Sequence, residues 1–102
     1  RLIAVGHVIK TSLPEVPENH TRLWRANKQD QPLGEDTAYT NSLEGIALPF
    51  HSSYKGKLSY LDVHNSELHK YLQTGGVAAD SEFYIHGPLA KTAKYVEGIK
   101  RE

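Results

Sequence analysis

The 102-residue sequence has no cysteine and no methionine. Without cysteine there is no disulfide, no thiol nucleophile and no thiolate metal site. The compartment stays open, because a secreted protein can also lack cysteine. Neither sign of charge is in excess: Lys plus Arg is 12, Asp plus Glu is 12, and the formal net charge is zero. Residues 1–51 carry 5 basic and 6 acidic side chains, and residues 52–102 carry 7 and 6. That balance excludes nucleic-acid binding driven by bulk positive charge, and there is no charged tail. Long apolar runs are missing, so no membrane span is expected. No signal-peptide pattern is visible. A start at Arg1 with no methionine is what a processed product, a trimmed chain or a piece of something larger would show. The length predicts one domain that buries about 60–65% of its unfolded surface. It is too short for a TIM barrel or a full dinucleotide-binding α/β domain.

What is present reads as short strands and short helices. Leu2–Ile9 (LIAVGHVI) is rich in β-branched and apolar residues and predicts a strand. Thr11–Asn19 holds two prolines and is a connector. Thr21–Ala26 (TRLWRA) predicts a strand with Arg22 and Trp24 on one face and Leu23 and Arg25 on the other. A polar loop with Pro32 and Gly34 leads to a short extended piece, Ala38–Thr40. Asn41 and Glu44 have capping-box spacing, and Leu43, Ile46, Ala47 and Phe50 then share a helical face. Lys57–Val63 (KLSYLDV) alternates cleanly as a strand. Asn65 is placed to cap a short helix, Ser66–Leu72. Gln73–Ser81 is a Gly- and Ala-rich loop, and Glu82–Ile85 (EFYI) is a strand. Pro88 suits the first turn of a final helix running from Leu89 to about Ile99. This order predicts an α+β fold with a small mixed or antiparallel sheet and short helices.

Three features could carry chemistry. Arg25 shares a face with Leu23, the side expected to be core, so it needs an anionic partner from the protein or from a ligand. Thr40, Asn41 and Ser42 sit at a strand-to-helix junction, where capping is one role open to them. Glu82 opens a strand directly after a flexible loop. A cleft built from them would offer a guanidinium for phosphate, hydroxyls for positioning and a carboxylate for a developing cation. The bland alternative is a domain in which Arg25 and Glu82 pair with each other. There is no Gly-x-Ser-x-Gly elbow, and the Gly75-Gly76 pair has no following Lys, so neither a hydrolase nor a phosphate loop is indicated.

The succession TRLWRA, YTNSLEGIA, GKLSYLDV, DSEFYI and GPLA, covering about residues 20–92, resembles the mono-ADP-ribosyltransferase superfamily. It is similar to the small domains of that superfamily found in bacterial and phage polyproteins and toxins. The resemblance implies an ADP-ribosyltransferase-like fold and NAD as substrate. It implies transfer of ADP-ribose to a protein or nucleic-acid acceptor, in the cytoplasm or as a delivered effector. An immunity protein, antitoxin or other partner chain is a further implied partner. Arg25 falls on the family's NAD-binding arginine. Thr40, with Ser42 as the competing choice, falls on the Ser/Thr element, and Glu82 on the catalytic glutamate. Trp24, beside Arg25, and Tyr54 join the cofactor-binding candidates, while Phe50 and Tyr60 are other aromatics that could stack on nicotinamide. Gln73 and Asp80 fall in the acceptor-recognition turn. Two departures stand out: Asp80 where many members have Gln or Glu, and Thr-Asn-Ser in place of Ser-Thr-Ser.

The implied chemistry passes through an oxocarbenium-like state at the nicotinamide-bearing ribose, stabilised by the Glu82 carboxylate, with Arg25 holding the pyrophosphate. With water as acceptor the same chain is an NAD glycohydrolase; without chemistry it is a nucleotide- or partner-binding module. The six histidines are His7, His20, His51, His64, His69 and His86. No pair has the i,i+4 spacing of a helical metal site, so metal ligands are not expected.

Overall fold

The computed structural model describes residues 2–28, 30, 32–54, 56–72 and 82–96. The elements are helix α1 (Leu2–Ser12), strand β1 (His20–Asn27), strand β2 (Thr37–Thr40), helix α2 (Leu48–Tyr54), strand β3 (Lys57–His64), helix α3 (Leu68–Tyr71), strand β4 (Glu82–Ile85) and strand β5 (Lys94–Tyr95). A π-helical turn, Leu43–Ala47, leads into α2, and 3-10 segments cover Asn65–Glu67 and Gly87–Thr92. The fold is α+β. The strands make one five-stranded sheet in the order β4-β2-β1-β3-β5, with every pairing antiparallel.

Alternation along β1 and β3 divides the buried side chains between two cores, one on each face of the sheet. On the first face Trp24, Leu58 and Tyr60 pack with Ile9, Leu43, Ala47, Leu48 and Val96. On the second, Leu23, Tyr39, Leu61, Val63, Phe83 and Ile85 pack with Ala90 and Ala93, backed by Leu68 and Tyr71. So α1, the π turn and α2 cover the first face, while α3 and the Gly87–Thr92 segment cover the second.

The strand expected at Leu2–Ile9 is a helix. Gly6 and Ile9 are buried while His7, Val8 and Lys10 are exposed, which is a helical spacing. The Lys10 ammonium meets the Glu44 carboxylate at 2.9 Å, tying α1 to the π turn. The final helix stops at Thr92, well short of Ile99. Ala90, Ala93 and Val96 are spaced like one helix face, yet Ala93 is extended and Val96 donates its N–H to Leu58 O at 2.8 Å. The chain leaves the helix there because the open edge of β3 accepts it as β5. The cap of the segment after β3 is His64, not Asn65: its Nδ1 accepts from the Ser66 N–H. The expected Asn41–Glu44 capping box does not form either. Ser42 is the cap residue, without a side-chain cap bond, and Glu44 turns to Lys10 instead.

Candidate functional site

Strand register decides which of the expected site residues meet. Glu82 is the Cα partner of Thr40, Thr40 of Trp24, and Trp24 of Tyr60. Directly opposed residues on neighbouring strands point to the same face, so these four form one row across the sheet. Arg25 is one residue beyond Trp24 and therefore projects from the opposite face. The sheet brings Thr40 and Glu82 together and separates both from Arg25. The single cleft expected from all three is not what the sheet presents, and neither is a pairing of Arg25 with Glu82.

In the Thr40–Glu82 half, Thr40 ends β2 and is buried, and its Oγ1 accepts the Ser42 N–H at 3.1 Å. Ser42 is half-buried at the start of the π turn, and its carbonyl accepts the Ala47 N–H at 3.0 Å, five residues on. A Cβ on Gly45 would run into Ser42 Oγ, so the turn closes tightly over this hydroxyl. Glu82 is half-buried at the start of the edge strand β4. Trp24 is 3% exposed and lies 5.9 Å from the Tyr60 ring, so both aromatics are core walls rather than open stacking surfaces. The side chains of Tyr54 and Phe50, and the whole of Gln73 and Asp80, lie outside the described residues.

The opposite face carries a polar cluster that the sequence reading did not single out. Arg25 is half-buried beside Tyr39 and Ser59. Its Nη1 donates to the Ala38 carbonyl at 3.1 Å. Among the described residues no carboxylate lies within ion-pairing distance of it. Ser59, the Cα partner of Arg25, is fully buried and donates to Asn27 Oδ1 at 2.8 Å. The Tyr39 phenol lies in the same cluster, beside Ser59 and Arg25. Burial pushes that phenol up from its ordinary value, against the opposing pull of the Ser59 hydroxyl and the Arg25 charge. A signal for this cluster was present in the sequence: Ser59 interrupts the apolar face shared by Leu61 and Val63.

A guanidinium offers five donors in a planar fork. Among the described residues one carbonyl occupies Nη1, and the other donors suit the oxygens of a phosphate or carboxylate. The Thr40–Glu82 row offers an acceptor carboxylate beside a hydroxyl, which suits a developing cation or a sugar hydroxyl. Among the described residues no group of three or more His, Asp or Glu could hold a metal ion, and no helix is long and apolar enough to cross a membrane. Comparison with protein-family models, with curated proteins and with solved structures finds no match for this chain, so the functional reading rests on its own residues and their placement.

Proposed function

We propose that this chain is a nucleotide-binding domain of the ADP-ribosyltransferase type, taking NAD through its pyrophosphate at Arg25. The observation that carries the reading is a half-buried guanidinium with no carboxylate partner among the described residues. Keeping a charge partly out of water without a counter-ion is costly, and a bound phosphate removes that cost. The order of motifs from TRLWRA to GPLA supports NAD as the nucleotide.

Binding is favoured over cleavage because the sheet stands between Arg25 and Glu82. The second reading is ADP-ribosyl transfer or NAD hydrolysis, and the direct opposition of Thr40 and Glu82 favours it. In that reaction the nicotinamide leaves with the bonding electron pair. The Glu82 carboxylate stabilises the ribosyl cation, and an acceptor nucleophile or water attacks the anomeric carbon and loses its proton.

One experiment separates the two. The protein is titrated with NAD while thermal stability and nicotinamide release are followed, beside Arg25→Ala and Glu82→Gln. A binding domain shows a saturable rise in melting temperature that Arg25→Ala removes and Glu82→Gln leaves in place, with no release. A transferase or hydrolase releases nicotinamide, and Glu82→Gln stops it. Neither a shift nor release ends both readings.

A further inference from the structure

We propose that His20 and His64 form a two-imidazole site for a borderline divalent metal such as Zn²⁺ at the far end of the β1–β3 ladder. The two residues are 44 positions apart in sequence and are direct Cα partners in the register. Their ring centroids are 5.0 Å apart and their planes cross at 80°. A metal–nitrogen bond of about 2.0–2.1 Å puts each ring centroid about 3.2 Å from the metal, and a tetrahedral angle then separates two such centroids by about 5 Å. The observed spacing accommodates two ligands on one ion, and it is also that of an edge-to-face ring contact.

Hydrogen bonds orient both rings. His20 Nδ1 lies 2.8 Å from the Glu18 carbonyl. A carbonyl only accepts, so Nδ1 carries the proton and Nε2 presents its lone pair. A ring N–H donated to a backbone carbonyl is the usual support of a metal-ligating histidine. His64 Nδ1 accepts from the Ser66 N–H at 3.2 Å and lies 2.7 Å from Ser66 Oγ. Ligation through its Nε2 moves the ring proton to Nδ1, which then donates to Ser66 Oγ, and the exposed Ser66 N–H turns to water. Neither Nε2 has a protein hydrogen-bond partner among the described residues.

The backbone around the pair is braced before any ion arrives. The turn Pro17–His20 closes with the His20 N–H on the Pro17 carbonyl at 3.1 Å. Its third residue, Asn19, has φ 61°, a conformation asparagine tolerates better than most side chains. The Asn19 carbonyl accepts the Asn65 N–H at 2.8 Å, and Thr21 Oγ1 donates to Asn65 Oδ1 at 2.6 Å. Both histidines are thus held by segments stapled to each other. The Glu67 carboxylate, itself paired with Lys70, adds negative potential near His64 and His69. Imidazole ligands suit Zn²⁺, Cu²⁺ and Ni²⁺. Two protein ligands leave the remaining positions to solvent or to a group from another molecule.

The test is a Zn²⁺ titration of tag-free protein, following the histidine ring resonances by NMR and the melting temperature. The wild type is expected to show saturable, chelator-reversible shifts of His20 and His64 at one ion per chain, with a rise in melting temperature. His20→Gln removes one ligand and leaves the His64 cap untouched. His64→Asn removes the other and keeps a capping acceptor. Each is expected to weaken binding about tenfold or more, while His69→Gln leaves it unchanged. No saturable shift in the wild type, or binding that survives both His20→Gln and His64→Asn, overturns the site.

Discussion

Two arginines three residues apart on β1 have opposite fates. Arg22 grips both Asp62 oxygens, with Nε at 2.7 Å and Nη2 at 3.0 Å, donates Nη1 to the Pro14 carbonyl and lies 4.7 Å from the Tyr60 ring centre. Its side chain is 7% exposed, so removing it strands a partly buried carboxylate and frees the Pro14 connector. Arg22→Ala is expected to cost about 3 kcal/mol in urea unfolding. Among the described residues Arg25 makes one bond, to the neutral Ala38 carbonyl, and Arg25→Ala is expected to cost about 1 kcal/mol or less while abolishing the NAD-induced thermal shift. Equal losses from the two would mean that Arg25 is structural. Tyr39 supplies a pH signature. Its folded-state value lies above that of the unfolded chain, so its contribution to stability is whole below about pH 10 and fades as pH rises through the folded value. The urea midpoint should therefore hold up to about pH 10 and then fall, with a shallower fall in Tyr39→Phe. An equally steep fall in that variant would place the alkaline transition elsewhere.

At the scale of elements, the link between α2 and β3 turns on Gly56. A Cβ there would overlap the Asn27 carbonyl oxygen and crowd the Lys28 carbonyl carbon. Those are backbone atoms at the end of β1, not side-chain tips that can move aside. Gly56→Ala is expected to lose about 2 kcal/mol and to disturb the β1–β3 register near Asn27 and Lys57. Amide resonances that stay put along both strands would contradict it. Strands β1, β3 and β4 were legible from sequence because period-two alternation and β-branched or aromatic content agree there. Thr21–Ala26, Lys57–Val63 and Glu82–Ile85 all fall within observed strands, and Arg22, Trp24, Leu23 and Arg25 take the predicted faces. The two ends of the chain misled for opposite reasons. LIAVGHVI has strand-like composition, but Ile9 packs in the first core and Gly6 is buried against the Glu44 side chain, a spacing that a helix provides. Ala90, Ala93 and Val96 have helix-like spacing, but a free sheet edge extends the chain.

For the molecule as a whole, the C-terminal segment joins what the sheet divides. Ala93 lies in the core on one face, Val96 in the core on the other, and β5 between them closes the edge of β3. Truncation after Thr92 is expected to cost about 3 kcal/mol or more, a large share of the 5–15 kcal/mol typical of a domain. The expected result is a lower and broader urea transition by circular dichroism; an unchanged midpoint would show that neither core depends on this segment. The α+β class, strands β1, β3 and β4 and the absence of thiol chemistry can be read from the chain's order of residues alone, because composition and alternation are local properties. That order also marked Arg25 as a charge in need of a partner. Strand pairing was needed to make Thr40 and Glu82 neighbours on the face away from Arg25, to set Ser59, Asn27 and Tyr39 around that arginine, and to bring His20 to His64. The reason is register. Side-chain direction follows from a residue's own strand, but neighbours across strands depend on which strands pair and at which offset, and that choice is made by the packing of the whole chain.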